Sequence, residues 1–537
     1  MKKLFFLSLF FVGFHLAIDA QNIQVAWDDP TKKNWDREFK LVQINSSVDN
    51  SLQNAWFYKS KNPIPQPLII SLHTWSGDYN QEDPLAKEVL LRDWNYIHPD
   101  FRGPNNKPKA CGSKLVISDI EDAILFAIKQ SNADTTNVHI IGASGGGYAT
   151  MLAYMKLNFP VKSFNAWVGI SNLSDWYWES KGRNARYTTD LEQVAMKDNQ
   201  MNWEELDSRS PIKLPFPADK RKNAFLNIYA GVHDGYTGSV PISHSILFYN
   251  NIAAELYPGQ NDKLVADSTW MSILVKQLNP FADNQLTLGA RKIHLLKQSP
   301  ELTLTLFEGG HEMIVPQALA LMPIDGERNT KKLNILTIGD SNAAAEFGWP
   351  VQLRKLLPFS TVINKSISGN TIGFDNLDQE KLNTLKNIDR YLDEAYAELS
   401  TDRSFDFILI GLGTNDAKRI FEKRQKEVPE NMALLIAKIR QWANIHQKRV
   451  PDICIISPPP VDEQKANAEK YGGGDQRVRK LIASFKTVSE KERVSFLDSY
   501  SKLNTGFENK TFDGIHLNEV AQFTVAQIIS DYIQSFN

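Results

Sequence analysis

Apolar residues in this chain gather in short unbroken runs, separated by stretches in which they recur every three or four positions. The runs at 67–73 (PLIISLH), 94–100 (WNYIHPD), 137–144 (NVHIIGAS), 224–231 (AFLNIYAG) and 302–310 (LTLTLFEGG) each predict a buried strand. Each ends in small or polar residues, where a parallel sheet carries its functional loops. The stretch 118–130 (SDIEDAILFAIKQ) has helical spacing and falls between two of them.

The pattern then starts again. Runs in 332–341 (KLNILTIGDS), 360–369 (STVINKSISG), 405–416 (FDFILIGLGTND), 452–460 (DICIISPPP) and 494–500 (VSFLDSY) predict a second set of strands. Helical spacing appears at 429–445 and again at 518–536. Twofold alternation of strand and helix predicts two α/β units with mostly parallel sheets. The polar, turn-forming stretch 323–332 (PIDGERNTKK) is the expected linker, placing one domain at 21–322 and the other at 333–537.

A length of 537 residues agrees with two cores rather than one. Hydrophobic and charged fractions of 42% and 23% are those of a globular protein. A formal net charge of −2 gives no electrostatic footprint for nucleic acid or an anionic membrane, so neither is expected as a partner. Residues 1–20 place Lys2 and Lys3 before an apolar run from Leu4 to Phe14, with small Ala20 at the end. That order predicts a signal peptide cleaved near Ala20, a periplasmic or secreted protein and no membrane span after cleavage. Cys111 and Cys454 fall in different predicted domains and are expected as free, buried thiols. No Cys/His cluster has metal-ligand spacing, so neither metal nor cofactor is expected.

Within the first unit, Gly142-Ala143-Ser144-Gly145-Gly146 is a G-x-S-x-G pattern that follows a predicted strand and opens a helical stretch. A serine on that sharp turn is held in a strained conformation with its hydroxyl exposed to a ligand. Serine is a weak nucleophile until a base takes its proton, so a carboxylate and a histidine should follow. Asp234 and His311 each stand just past a predicted strand, in the order Ser, Asp, His. His233, beside the aspartate, is expected to be supporting or structural. Ten of the twelve tryptophans precede the linker, and Trp176-Tyr177-Trp178 are a candidate sugar- or aromatic-ester-binding cluster.

These residues resemble the α/β-hydrolase superfamily over about 40–322, and within it the prolyl-oligopeptidase-like and acetyl-xylan- or feruloyl-esterase-like members. Asp100-Phe101-Arg102-Gly103 is similar to the D-x-R-G turn of the peptidase branch. The resemblance implies an oxyanion hole made by the backbone N–H of Gly145 and that of Thr74 or Trp75, with Trp75 preferred. The family's propeller has no counterpart in this stretch. A long segment, Ile242–Leu302, separates the aspartate loop from the histidine strand.

The second unit offers another serine, in Gly339-Asp340-Ser341, again between a predicted strand and a helix. Gly369 and Asn415 follow two further strands, and Asp513 stands three residues before His516. That spacing lets one carboxylate hold one imidazole nitrogen while the other nitrogen faces Ser341. The Ser341 N–H, the Gly369 N–H and the Asn415 amide would then converge on a developing oxyanion. Asp416 reads as a turn or helix-cap residue. The four blocks resemble the SGNH (GDSL-type) hydrolases over about 333–537. This implies a flavodoxin-like three-layer α/β/α sandwich and ester hydrolysis, often of acetyl groups on carbohydrate. The leading expectation is a bifunctional serine esterase acting on polysaccharide or oligosaccharide esters. The alternatives are a peptidase in the first domain, or one domain serving as a silent glycan-binding module.

Overall fold

The computed structural model describes residues 29–31, 34–280, 282, 286–324, 329–399 and 403–536. The expected signal peptide, residues 1–20, lies outside the described residues, as do positions 325–328 of the expected linker.

The first unit is built on a ten-stranded sheet. Its strands are β1 (Lys40–Asn45), β2 (Leu52–Tyr58), β3 (Gln66–Leu72), β4 (Asn95–Pro99), β5 (Ala133–Ala143) and β6 (Ser163–Trp167). A two-strand ribbon, β7 (Met196–Lys197) with β8 (Gln200–Met201), stands apart from it. The sheet resumes with β9 (Phe225–Gly231), β10 (Thr287–Leu288), β11 (Arg291–Gln298) and β12 (Leu302–Phe307). The order is β1-β2-β4-β3-β5-β6-β9-β12-β11-β10. The centre, from β4 to β12, is parallel, while β1, β2, β10 and β11 pair antiparallel at the two edges. Ser144, Asp234 and His311 stand just beyond the carboxyl ends of β5, β9 and β12.

The second sheet has five parallel strands: β13 (Asn334–Gly339), β14 (Thr361–Asn364), β15 (Phe407–Gly411), β16 (Asp452–Ile456) and β17 (Ser495–Leu497), in the order β14-β13-β15-β16-β17. Strand alternation divides its side chains between two cores. Leu336, Ile338, Ile408 and Ile410 join one core with the helices Thr384–Glu398, Glu427–Ile445 and Gly474–Glu492. Ile335, Phe407 and Leu409 join the other, against the helices Trp349–Leu356 and Glu519–Ser535. Period-two alternation with both faces covered makes a three-layer α/β/α sandwich.

Ile324 packs on the first unit's core and Leu333 on the second's. Cys111 and Cys454 are both free and buried, and burial pushes each thiol up to about 12. The units meet through charge as well as apolar contact. Glu88, on the helix Leu85–Arg92, binds Arg92 at 2.9 Å and reaches Lys355 of the second unit at 2.8 Å. Among the described residues no helix is long and apolar enough to cross a membrane.

Candidate active sites

Strand β5 runs straight into Ser144, whose backbone is held at φ 57°, ψ −118° before the helix Gly145–Lys156 begins. A non-glycine residue at positive φ is strained, and the surrounding contacts must enforce it. Here the Ser144 N–H donates to the Trp167 carbonyl at 2.9 Å, on the neighbouring strand. Gly145 cannot carry a side chain, because a Cβ there would lie 2.2 Å from the Trp75 nitrogen. That close approach brings the 74–75 turn against the start of the helix. The Thr74 N–H is taken by the Gln81 side chain at 3.1 Å, whereas no hydrogen bond among the described residues uses the Trp75 N–H. Trp75 and Gly145 therefore present the two amides beside Ser144.

His311 Nε2 lies 2.9 Å from Ser144 Oγ, and its Nδ1 lies 2.7 Å from Asp234 Oδ2. The other Asp234 oxygen accepts from the N–H groups of Gly235 and Val240, at 2.9 and 3.1 Å. The aspartate is thus oriented from both sides and can fix the imidazole tautomer that leaves Nε2 facing the serine. A feature that the sequence pattern does not signal is Ser239, whose Oγ is 3.1 Å from the same His311 Nε2. Ser239 sits in the loop that carries Asp234, and nothing in the segment AGVHDGYTGSVP marks it out.

The aromatic cluster differs from expectation. The helix Leu173–Gly182 turns Trp176 and Tyr177 into the core, and Trp178 alone of the three is exposed. Trp176 packs edge-on against Trp75 with centroids 4.6 Å apart, and its indole N–H donates to the Ser239 carbonyl at 2.9 Å. Its role is to buttress the loop, so it is not an open sugar platform. Tyr177 donates to Glu192 at 3.0 Å, while Trp178 stacks on Trp203 at 5.5 Å. Arg183 closes the same loop by donating to the carbonyls of Gly235, Gly238 and Ser239.

His233 is kept away from Ser144 by two partners, Gln277 and Glu308, and the second oxygen of Glu308 takes His294 at 2.6 Å. This His-Glu-His bridge ties the Asp234 loop to the strand end before His311. In the D-x-R-G turn, Arg102 binds the carboxylates of Asp119 and Asp49, a structural clip between β1–β2 and the helix Lys114–Gln130. Burial, with Asp78 nearby, pushes Asp100 up to about 6.

The second constellation repeats the logic in a more open setting. Asp340 caps the short helix Ser341–Ala344 by accepting from the Asn342 N–H at 3.0 Å. His516 Nε2 lies 3.0 Å from Ser341 Oγ, and its Nδ1 lies 2.7 Å from Asp513 Oδ2. Asp513 Oδ1 also accepts from the N–H groups of His516 and Ile515, at 2.8 and 3.1 Å. Partial burial works to raise Asp513, but these hydrogen bonds outweigh it and hold the carboxyl below its usual range.

Gly369 has φ +89°, a conformation suited to glycine, and its carbonyl is held by the Asn376 amide at 2.7 Å. Asn415 directs one amide hydrogen to the Asn370 carbonyl at 3.0 Å, and its NH2 group has a second hydrogen to offer. Asp416 is not a simple cap. It is fully buried and accepts from the Ile372 N–H at 3.0 Å, tying down the loop that carries Gly369; burial pushes it up to about 7. Asn342 is a second feature beyond the sequence pattern. Its side chain accepts from the Leu517 N–H at 2.8 Å and donates to the Ile515 carbonyl at 3.3 Å, locking the nucleophile turn to the histidine loop.

The two sites differ in exposure. The His311 and Asp234 side chains are 11% and 1% exposed, those of His516 and Asp513 46% and 54%. Both nevertheless present a serine hydroxyl, an imidazole and a carboxylate in one hydrogen-bonded line at the carboxyl edge of a sheet. That is the apparatus of a serine hydrolase.

Comparison with known proteins bears on each half separately. Residues 109–266, which include Ser144 and Asp234, match the prolyl oligopeptidase family, and residues 336–522, which include Ser341, Asn415, Asp513 and His516, match the GDSL-like lipase/acylhydrolase family. The chain therefore joins an α/β-hydrolase domain of the S9 peptidase type to a GDSL-type esterase domain, and it is a serine hydrolase. No curated protein matches it. Among solved structures it is similar to a carbohydrate acetylesterase from Sinorhizobium meliloti, with 19% identity over 38% of this chain and all of the other, TM-score 0.31. It is also similar to an aryl esterase from M. smegmatis (21% identity, 38% of this chain and 100% of that one, TM-score 0.32). A Pyrococcus horikoshii acylaminoacyl peptidase shares 20% identity over 40% of this chain and 34% of its own length, TM-score 0.33.

Proposed function

We propose that the protein is a secreted or periplasmic bifunctional serine esterase that removes acetyl, feruloyl or methyl ester decorations from plant-type polysaccharides. The observation that carries this reading is the presence of two complete Ser-His-Asp lines in one chain. In each, histidine takes the serine proton as Oγ attacks the ester carbonyl. The oxyanion forms against Trp75 and Gly145 N–H in one site, and against Ser341 N–H, Gly369 N–H and the Asn415 amide in the other. Histidine then protonates the departing alcohol, and water clears the acyl-serine by the same steps in reverse.

The contrast in exposure supports a division of labour. A walled centre at Ser144 suits an ester whose shape it can select, and an open centre at Ser341 suits ester groups on a bulky chain. One cleft cannot fit every ester of a decorated polymer. Tethering holds the second centre at high effective concentration near a polymer engaged by the first.

The S9-family match favours a second reading, in which the Ser144 centre cleaves small peptides. Ser144→Ala and Ser341→Ala proteins, assayed on model acetyl, methyl and feruloyl esters, acetylated polysaccharide and peptide amides, separate the two. Each substitution should abolish one ester activity, by on the order of a million-fold in turnover, and spare the other. Loss of peptide cleavage, with every ester activity intact in Ser144→Ala, would replace the dual-esterase reading with the second. Intact activity on all substrates would remove Ser144 from catalysis.

A further inference from the structure

A cavity of about 510 Å³ lies where the two units meet, walled by β10–β11 and the segment after His311 on one side and by the helix Trp349–Leu356 with β14 on the other. Its size falls within the range of about 300–1,000 Å³ common for small-molecule sites. Much of the wall is aliphatic: Met313, Ile314, Val315, Pro316, Val351 and Val362. The charged lining is unbalanced, with Arg291, Arg354 and Lys355 against Glu312 alone.

Two of these cations are already engaged. Arg291 binds Glu312 at 3.0 Å, and Lys355 binds Glu88 at 2.8 Å. Arg354 is different. Its Nε–H is fixed on the Val362 carbonyl at 2.9 Å, while no hydrogen bond or ion pair among the described residues uses its two terminal nitrogens. Glu398, whose charge acts on Arg354, is itself bound by Lys365 at 2.6 Å. An arginine anchored through Nε offers a preoriented fork that fits a planar carboxylate.

We propose that this cavity binds a monocarboxylate with an apolar body, its carboxylate on the terminal nitrogens of Arg354 and its body against Met313, Val315 and Val351. Thr287, Gln317, Ser360 and Thr361 add polar points to the lining, but the aliphatic stretch from Met313 to Pro316 with Val351 and Val362 favours an apolar body over a fully hydroxylated one such as a free sugar acid. Acids of the proposed kind are products of ester cleavage, but binding here requires neither nucleophile.

The test uses the full chain carrying Ser144→Ala and Ser341→Ala, so that turnover plays no part and a failure of the dual-esterase reading leaves the result interpretable. Ferulate, its neutral amide and glucuronate are titrated by calorimetry into this protein and into the same protein with Arg354→Gln. Ferulate should bind with one site per chain, and Arg354→Gln should weaken it by about tenfold or more, a change of about 1.4 kcal/mol or greater. The amide should bind the parent no better than ferulate binds the variant, and glucuronate should bind more weakly than ferulate. Absence of ferulate binding, an affinity unchanged by Arg354→Gln, or equal binding of ferulate and glucuronate would each overturn the proposal. Arg354→Gln gives up the hydrogen bond to the Val362 carbonyl, so a small fall in melting temperature is expected, and a single cooperative melt confirms that folded proteins are compared.

Discussion

His311 Nε2 faces two hydroxyls, Ser144 at 2.9 Å and Ser239 at 3.1 Å, and only one of them can be the nucleophile. Ser144 holds the strained turn and the amide pair; Ser239 has neither, so it acts through the histidine. Once Nε2 has taken the serine proton, Ser239 Oγ can accept a hydrogen bond from the imidazolium. A net hydrogen bond is worth about 0.5–1.5 kcal/mol, so Ser239→Ala should lower kcat of the Ser144 activity by up to about tenfold. Steady-state kinetics check this: an unchanged kcat would make Ser239 only a loop residue held by Trp176 and Arg183. At the other centre, Asn415→Ala removes one oxyanion donor and should cost roughly a hundred- to a thousand-fold in turnover. The loss should fall on the activity that Ser341→Ala abolishes, and the same ester assays read it. Asn415 stands in the G-T-N-D block and was legible there. Ser239 was not, because its role arises from a loop folding back on a histidine from a distant strand.

The same division runs through the elements. The parallel strands β3, β5, β9, β12, β13, β15 and β16 were legible as apolar runs because both of their faces are covered. The edges were not. β1 (KLVQIN) and β11 (RKIHLLKQ) mix exposed polar positions with buried ones, so no run forms. β6 (SFNAW) is short and includes buried Ser163 and Asn165, which pair with their neighbours. The tryptophan cluster misled for a related reason: three consecutive residues on a helix point about 100° apart and cannot share one binding face.

Asp416 shows how an element can hide a functional tie. Nothing about its place after Asn415 signals that it accepts from the Ile372 N–H, so only the fold reveals its role. With its carboxyl pushed from 3.8 up to about 7 by burial, the stability it contributes is fully present below pH 3.8 and lost as the pH rises through 7. Asp416→Asn keeps an oxygen acceptor without that titration. The variant's melting temperature relative to the parent should therefore rise between pH 5 and pH 8. Thermal melts at the two pH values check it, and a difference that stays constant or falls would mean that Asp416 remains ionised in the fold.

At the scale of the whole molecule, the two units share a buried charge network as well as a linker. Glu88 is the only carboxylate within ion-pair distance of the Arg92 guanidinium among the described residues, and it also takes Lys355 from the second unit. These side chains are 6%, 2% and 14% exposed, so water cannot replace a missing partner. Removing one member of a buried pair leaves an uncompensated charge and costs about 3–5 kcal/mol. Glu88→Ala should therefore destabilise the protein by about that amount. Lys355→Met is expected to behave differently, because it leaves Arg92 and Glu88 paired and substitutes an apolar chain of similar length; it should cost about 1 kcal/mol or less. Lys87→Ala, which loses the exposed pair with Glu519 at 2.9 Å, should cost no more than about 1 kcal/mol. Denaturant unfolding of the three variants ranks them. If Glu88→Ala proves as mild as Lys87→Ala, the contact between the units is loose and wet, and the two hydrolase domains behave as tethered neighbours rather than one packed body.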